Sequence, residues 1–270
     1  MDKLIARDEA FDQFQRASRR LERMLSSLTG RQIGPDRQIP HLDWTVGDLA
    51  LHVTQGVEVA GELVQGKPSP YGDMHQIAET NAEFLQRDPE RNIDRLVLRF
   101  VKAVRFMEQR FREMPDDFIV PFHAGAEFKP PQAMVMMSSE LLIHGWDLAQ
   151  VTGEKFEIEP QDACRIMYTI TPIMPEMVIQ EAARGFVATY EICLRGGECL
   201  RLHFDEGDLS VSHVAPGGPA DCRVDADAPA FLMMGYGRGS QLKLILTGKI
   251  RASGPKPWLA GKFGQLVKKP

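Results

Sequence analysis

The stretch SSELLIHGWDLAQVTG, residues 138–153, carries three ionisable side chains at helical spacing. Glu140, His144 and Asp147 stand at positions i, i+4 and i+7, so a helix would place them on one face. The same face continues with apolar residues, and an apolar face normally points into a protein core. Because burying an unpaired charge is unfavourable, such groups pair, shift their pKa or bind a metal.

Three interpretations of this face are open. It can be a solvated edge of the helix, with Glu140 and His144 forming an ordinary i,i+4 pair. It can hold a buried acid–histidine pair with a structural role. It can also be part of a metal site, which needs a further ligand from elsewhere in the chain.

His52, in the stretch LALHVTQG, is the candidate for that further ligand. Its helical neighbours are apolar, and metal sites in helical bundles are built from side chains that face each other across the core. A histidine in this setting can equally be a core residue that donates a hydrogen bond to a carbonyl group. His52, Glu140 and His144 together form a two-histidine, one-carboxylate set, which suits a catalytic zinc site with one open position.

The same ligand set also fits a non-haem iron site, but zinc is the preferred assignment because nothing in a bundle core imposes octahedral coordination. Asp147 follows His144 by one helical turn. It is expected either to accept a hydrogen bond from that imidazole, and so to orient it, or to pair with an amide of a neighbouring element.

The periodicity of the sequence changes near residue 185 and predicts two domains. Residues 1–185 read as an up-and-down helical bundle, in which Thr45 and Asp48 cap the second helix and Gly153 ends the fifth. Residues 186–270 read as a small α+β domain. Its first three strands, at 186–195, 198–204 and 208–213, are expected to be consecutive and antiparallel. QLKLIL, residues 241–246, alternates like a further strand, and a helix is expected near the end of the chain.

The four cysteines are predicted to be free thiols. Cys193 and Cys199 flank a predicted hairpin whose turn is Gly196-Gly197. With a two-residue turn, Cys193 faces Leu200, so the two sulfur atoms would point to opposite faces of the sheet and could not form a bridge.

The composition indicates a globular protein and argues against several partners. Hydrophobic residues make up 43% of the chain and charged residues 26%, with a formal net charge of −5 and a pI near 5.8. This charge argues against nucleic-acid binding. The charged start, MDKLIARDEAFDQF, is typical neither of a signal peptide nor of a membrane helix. We therefore expect a cytoplasmic protein without a membrane partner; its oligomeric state does not follow from the sequence.

Two stretches of the chain resemble a known family. W-T-V-G-D-L-A-x-H at 44–52 and E-x-x-x-H-G-W-D-L-A-x-x-T-G at 140–153 are similar to the two signatures of the mycothiol-dependent maleylpyruvate isomerase family, within the DinB-like bundle superfamily. The resemblance implies that His52, Glu140 and His144 bind a metal. The end of the chain resembles the sterol-carrier-protein-type (SCP2-like) α+β domain that many members append.

The resemblance also implies a chemistry. Family enzymes use the small thiol mycothiol as cosubstrate, and a divalent metal deprotonates a coordinated thiol. In the isomerase reaction the thiolate adds to a conjugated cis double bond, the bond rotates and the thiol leaves. Other members transfer mycothiol to small electrophiles. The resemblance further implies that Arg238, in GYGRGS, reaches over the metal site and binds an anionic partner, whereas the residues alone are equally compatible with a solvent-exposed turn arginine.

Two other functions are open. The α+β domain could bind a lipid or another hydrophobic ligand, with the bundle metal serving only the structure. The bundle could also be a metal hydrolase that needs no thiol. Metal removal and comparison of different thiols would separate these alternatives.

Overall fold

The computed structural model describes residues 5–268, and the chain forms two compact units. The first is Ile5–Glu157 and the second runs from Ile158 onward. The sequence predicts a domain boundary near residue 185, shortly before the first strand of the sheet begins at residue 188. In the structure, residues 158–185 group with the second unit. Helical periodicity identifies these residues as helical, yet it does not specify which core they join.

The first unit is a helical bundle. Helices α1, α2, α4 and α5 close into a ring in which α1 and α2 each contact both α4 and α5, while the short α3 packs against α2. A small hairpin, β1–β2, lies between α4 and α5. Large side chains such as Phe14, Phe100 and Phe111 fill the core and are almost fully buried. The elements are α1 (Arg7–Ser27), α2 (Val46–Leu63), α3 (Ile77–Arg87), α4 (Ile93–Glu113), β1 (Val120–Pro121), β2 (Glu127–Phe128) and α5 (Pro130–Thr152).

The ends of α2 and α5 are fixed as their sequences predict. The Thr45 hydroxyl accepts a hydrogen bond from the backbone N–H of Asp48, and the Asp48 carboxylate accepts one from the backbone N–H of Thr45. Arg91 donates to the other oxygen of Asp48 at 2.8 Å. At the end of α5, Gly153 adopts the left-handed conformation with φ 73°, which satisfies the last turn.

The second unit surrounds a five-stranded sheet of order β5-β4-β3-β6-β7. The pairs β3–β4 and β4–β5 are antiparallel, which confirms the predicted consecutive strands, and β3–β6 is parallel. The strands are β3 (Ala188–Leu194), β4 (Cys199–Asp205), β5 (Asp208–Val214), β6 (Cys222–Ala226) and β7 (Ile250–Ser253). The helices are α6 (Pro160–Thr169), α7 (Gln180–Ala183), α8 (Ala228–Gly235), α9 (Gln241–Leu246) and α10 (Leu259–Leu266).

The prediction of a strand at residues 241–246 is wrong, because this segment forms α9. Ser240 caps its start by accepting from Lys243 N, and Gly248, with φ 68°, follows its end. The strand that pairs with β6 is instead β7, residues 250–253. A short apolar run does not distinguish strand from helix, and here the capping residues decide the outcome.

The prediction that Cys193 and Cys199 are free thiols is also wrong, since they form a disulfide bond. The hairpin register pairs Cys193 with Cys199, because the turn contains three residues and not two. Leu194 donates its N–H to Glu198 O, and Gly196 adopts φ 83° within the turn. One extra turn residue moves every following side chain to the other face of its strand, which brings the two sulfur atoms together. Cys164 and Cys222 are buried and belong to no disulfide within residues 5–268.

No helix within residues 5–268 is both long enough and apolar enough to cross a bilayer.

Candidate metal centre

Helices α2 and α5 bring His52, Glu140 and His144 together. The Nε2 atoms of His52 and His144 lie 3.7 Å and 3.5 Å from the same oxygen, Oε2 of Glu140. The two imidazole rings are 4.8 Å apart between centroids and nearly perpendicular. Potential ligand atoms of the three residues all lie within 4.8 Å of one another.

The electrostatics of the cluster favour a carboxylate between two imidazoles. Burial alone would raise the pKa of Glu140, but hydrogen bonds and charge interactions with His144 and His52 outweigh it and hold the pKa well below its usual range. Burial alone would lower the pKa of His144, but Asp147 and Glu140 outweigh it and raise the pKa. The site therefore attracts positive charge, whether protons or a metal cation.

The donor set fits a divalent cation. Two imidazole nitrogens and one carboxylate oxygen are ligands that zinc binds at roughly 2.0–2.2 Å, which corresponds to separations of about 3.4 Å between tetrahedral ligand atoms. The observed separations of 3.5 Å and 3.7 Å are close to this value. The Glu140 side chain is 39% exposed, so the cluster is accessible from one side.

Asp147 orients one of the two imidazoles. Its Oδ2 lies 3.0 Å from Nδ1 of His144, and its side chain is 2% exposed. Of the two partners expected for Asp147, the structure therefore shows the imidazole. With Nδ1 donating to Asp147, the proton of a neutral His144 is on Nδ1 and the Nε2 lone pair is directed to the cluster.

Replacing Asp147 by asparagine should weaken metal binding without removing the site. An amide can still accept from Nδ1 but lacks the charge that raises the basicity of the ring, so we expect about 10- to 100-fold lower metal affinity. Competition with a chromophoric chelator measures this loss. Asp162→Asn is the matched control, because Asp162 is also a buried aspartate but pairs with Arg165 in the second unit. Equal metal affinities for Asp147→Asn and wild type would show that Asp147 does not act on the ligand.

Two close packing contacts shape the surroundings of the cluster. The indole of Trp44 lies 4.5 Å from the His52 ring and 5.6 Å from the His144 ring, so it covers both imidazoles. Behind His144, a Cβ at position 145 would lie 2.5 Å from the Phe156 ring. Gly145 therefore permits a close approach of Phe156 that any other residue would prevent.

A second polar group near the cluster was not identified from the sequence. The Nδ1 atom of His123 lies 2.8 Å from Ser69 Oγ, and its ring packs against Tyr71 and Phe122, with centroids 4.5 Å and 4.1 Å away. Burial lowers the pKa of His123 to about 4, so the ring is neutral at pH 7. The negative charge of Glu140 acts on His123 and on Tyr71, whose pKa is raised by burial first and then by that charge. Loop residues have no periodicity, so the sequence carried no signal for this group.

Arg238 lies in the second unit, just after α8. Its side chain is half-buried, its Nη1 donates to the carbonyl oxygen of Tyr236 at 2.6 Å, and its backbone N–H donates to Met233 O. Gly237, with φ 78°, forms the turn that carries it. The anion-binding role expected for Arg238 stays a prediction.

Comparisons with known proteins agree with the fold. The family model described as mycothiol maleylpyruvate isomerase N-terminal domain matches residues 14–149, and the SCP-2 sterol transfer family model matches residues 176–268. The chain is similar to the crystal structure of a mycothiol-dependent maleylpyruvate isomerase, at 19% identity and a TM-score of 0.56, over 92% of this chain and 93% of that one. A histidine-to-alanine mutant of such an isomerase gives 18% identity and a TM-score of 0.57 over the same shares. No curated protein sequence matches the chain. At these identities the structural likeness shows the fold.

Proposed function

Since the chain belongs to the mycothiol maleylpyruvate isomerase N-terminal domain family, we propose that it is an enzyme that uses a divalent metal and mycothiol to act on a small electrophile. The reaction is either cis–trans isomerisation of a maleylpyruvate-like substrate or transfer of the thiol to the electrophile. Zinc is the metal that best matches the donor set.

One observation carries this proposal. The Nε2 atoms of His52 and His144 face the same carboxylate oxygen of Glu140, although the residues come from two helices. A structural acid–histidine pair needs only one imidazole, and a solvated edge would not bury both histidines, whose side chains are 10% and 8% exposed. Two nitrogens and one oxygen held together on an accessible side favour a cation with an open coordination position.

The protein side chains have separate tasks in this scheme. His52, Glu140 and His144 would hold the cation, which when bound would lower the pKa of an incoming thiol so that the thiolate is available at neutral pH. Asp147 keeps the proton of His144 on Nδ1. Trp44 covers both imidazoles and limits the access of water to them.

The isomerisation then needs no redox partner. The thiolate sulfur adds to one carbon of the conjugated cis double bond, and the electron pair moves onto the carbonyl oxygen as an enolate. Rotation about the resulting single bond and return of the electron pair expel the thiolate and leave the trans double bond. In a transferase the carbanion or enolate is protonated instead, and the carbon–sulfur bond remains. The negative charge of Glu140 acts on the neutral imidazole of His123 and on the hydroxyl group of Tyr71, which makes both groups candidates for contact with a bound substrate.

Metal analysis of the purified protein, combined with an assay that follows both the electrophile and the thiol, tests the proposal. Mycothiol and maleylpyruvate, or a generic electrophile, are the reactants. We expect a stoichiometric divalent metal and a reaction that requires the thiol. A protein that binds metal but consumes neither electrophile with any thiol would contradict the proposed enzyme function.

Arg238→Ala should weaken the binding of an anionic thiol or substrate. We propose that this guanidinium binds the anion, and losing one charge-assisted hydrogen bond costs about 1.5–3 kcal/mol, or some ten- to hundredfold in apparent affinity. Metal content and fold should stay unchanged. Steady-state kinetics of the variant measure the effect as a rise in KM.

Two further variants sharpen this prediction. Arg238→Lys should recover only part of the affinity, since a point charge does not reproduce a bidentate contact. Arg251→Ala removes the same charge from an exposed position of the same unit and should leave KM unchanged. Equal kinetics of Arg238→Ala and wild type would assign the arginine to the turn alone.

An apolar cavity favours a second candidate function. The second unit contains a cavity of about 350 Å³ lined mainly by aliphatic, methionine and aromatic side chains, among them Ile170, Met174, Ile192, Phe231 and Met234. Such a cavity is suited to a lipid or another hydrophobic ligand. In this alternative the metal only stabilises the bundle. Chelation that removes thiol-dependent activity but not the fold would favour the enzyme, whereas chelation that unfolds a protein without activity would favour the binding protein.

A further inference from the structure

The charges of the chain are unevenly distributed. Residues 228–270 contain eight Lys and Arg residues and no Asp or Glu. The other residues contain 24 Lys and Arg against 37 Asp and Glu, a net charge of −13. An acidic protein with a purely basic C-terminal segment is expected to direct that segment towards an anionic partner.

Helix α9 of this segment exposes its apolar side. Leu242, Ile245 and Leu246 stand at i, i+3 and i+4, so they share one face, and they are 66%, 46% and 78% exposed. Trp258 is 69% exposed. These four account for half of the large hydrophobic residues that are exposed in the described chain, which is unusual for one short segment.

Trp258 and the cations lie close to α9. Gln241, the first residue of α9, donates through Nε2 to the carbonyl oxygen of Ala260 at 2.9 Å, two residues beyond Trp258. The Arg251 guanidinium lies next to Gly248, just past the end of α9, because a Cβ at position 248 would be 3.7 Å from its Nη2.

Two of these cations have no acidic partner among the residues that the structure describes. Within residues 5–268, Lys243 and Arg251 have no carboxylate partner, whereas Lys249 and Lys256 pair with Asp227 and Asp221. We call Leu242, Lys243, Ile245, Leu246, Arg251 and Trp258 the basic apolar surface.

The chemistry of this surface selects one occupant. Exposed aliphatic side chains, an exposed tryptophan and unpaired cations match the boundary between acyl chains and anionic headgroups of a bilayer. A nucleic acid would pair with the cations but offers little to leucine and isoleucine side chains. A second copy of this chain would place identical cations near each other. The apolar cavity adds to the lipid assignment, since Gly239, just before α9, and Gln241, the first residue of α9, line it.

We propose that the basic apolar surface docks on anionic membranes, with α9 lying in the interface and Trp258 at headgroup level. This is peripheral binding. The expectation that the protein has no membrane partner rested on the lack of a spanning segment and a signal peptide, which does not bear on a short interfacial helix. The docking does not depend on the proposed enzyme function, because it is measured without substrate, thiol or metal exchange.

Sedimentation of the full-length protein with vesicles tests the proposal. We expect binding to vesicles of phosphatidylcholine with about one third phosphatidylglycerol, little binding to phosphatidylcholine alone, and release by salt. Brominated acyl chains should quench the fluorescence of the wild type, and this quenching should be lost in Trp258→Phe.

Matched variants separate the surface from general stickiness. The double variant Leu242→Ser, Leu246→Ser should bind anionic vesicles at least about tenfold more weakly, because two large apolar side chains no longer enter the interface. Leu98→Ser is the control, since Leu98 is 72% exposed on α4 of the bundle. For charge, Lys243→Glu should reduce binding, whereas Lys102→Glu on α4 should not. Circular dichroism checks the fold of each variant.

Several results would overturn the proposal. One is that anionic vesicles do not retain the wild type, and another is that Leu98→Ser reduces binding as much as the double variant. Binding of duplex DNA that is insensitive to the leucine substitutions would make the segment a polyanion site. A dimer that the double variant converts to a monomer would make the surface a contact between two copies.

Discussion

Replacing His144 by alanine should remove most of the bound metal and nearly all activity. Structural zinc sites with four protein ligands have apparent binding free energies of about 10–16 kcal/mol, so one ligand contributes roughly 2.5–4 kcal/mol, or about two to three orders of magnitude in affinity. The variant also leaves Asp147, which is 2% exposed, without its imidazole partner. Metal content by elemental analysis and thiol-dependent turnover measure the two losses.

The control for this experiment is a histidine outside the cluster. His203 is exposed on β4 and hydrogen-bonded to Thr189, so His203→Ala should keep both metal and activity. The bundle of His144→Ala should remain folded, because its core is built from buried apolar side chains such as Phe14 and Phe100, which are not metal ligands. Full metal content in His144→Ala would exclude this histidine as a ligand.

Omitting the small thiol should abolish turnover. None of the cysteines belongs to the cluster of His52, Glu140 and His144; two of them form a disulfide bond and the other two are buried. We therefore expect the sulfur nucleophile to come from solution. The assay follows loss of the electrophile with mycothiol, with other thiols and with none.

A variant without cysteines tests the same point from the protein side. Changing Cys164, Cys193, Cys199 and Cys222 to alanine should preserve metal content and thiol dependence. The loss of the Cys193–Cys199 bond, which closes a short loop, should lower stability by about 2 kcal/mol. Assays should therefore be run well below the unfolding temperature of the variant. Equal turnover without any thiol would contradict the proposed mechanism and favour a metal hydrolase.

The sequence determined the helices that carry the site because their signals are local. The box formed by Thr45 and Asp48 fixes where α2 starts, and Gly153 fixes where α5 ends. Between these points the 3.6-residue period sets which side chains share a face, so Glu140 and His144 could be placed together before any tertiary structure was known. Capping and periodicity depend on residues within one or two turns.

Two other local predictions were wrong, one because a turn is one residue longer than predicted and one because of a helix cap. One additional residue in the β3–β4 turn reverses the faces of Cys193 and Cys199 and changes two free thiols into a disulfide. The cap at Ser240 changes an alternating run into α9. Both errors have one physical cause, since short segments have similar energies in alternative conformations and their neighbours decide between them.

The meeting of His52 with Glu140 and His144 was decided by the tertiary structure, although the family signatures anticipated it. His52 is far along the chain from Glu140 and His144, so the three side chains meet only when α2 packs against α5. That packing depends on the burial of apolar faces along both helices. The packing of the core also places Asp147 where it accepts a hydrogen bond from His144, and Trp44 where it covers the imidazoles. It places the loop residues His123 and Tyr71 where the negative charge of Glu140 acts on them. The sequence by itself determined which residues could ligate a metal and on which helical face they stand. The tertiary structure alone decided their distances and their neighbours, because these follow from the packing of the whole core and not from any local pattern.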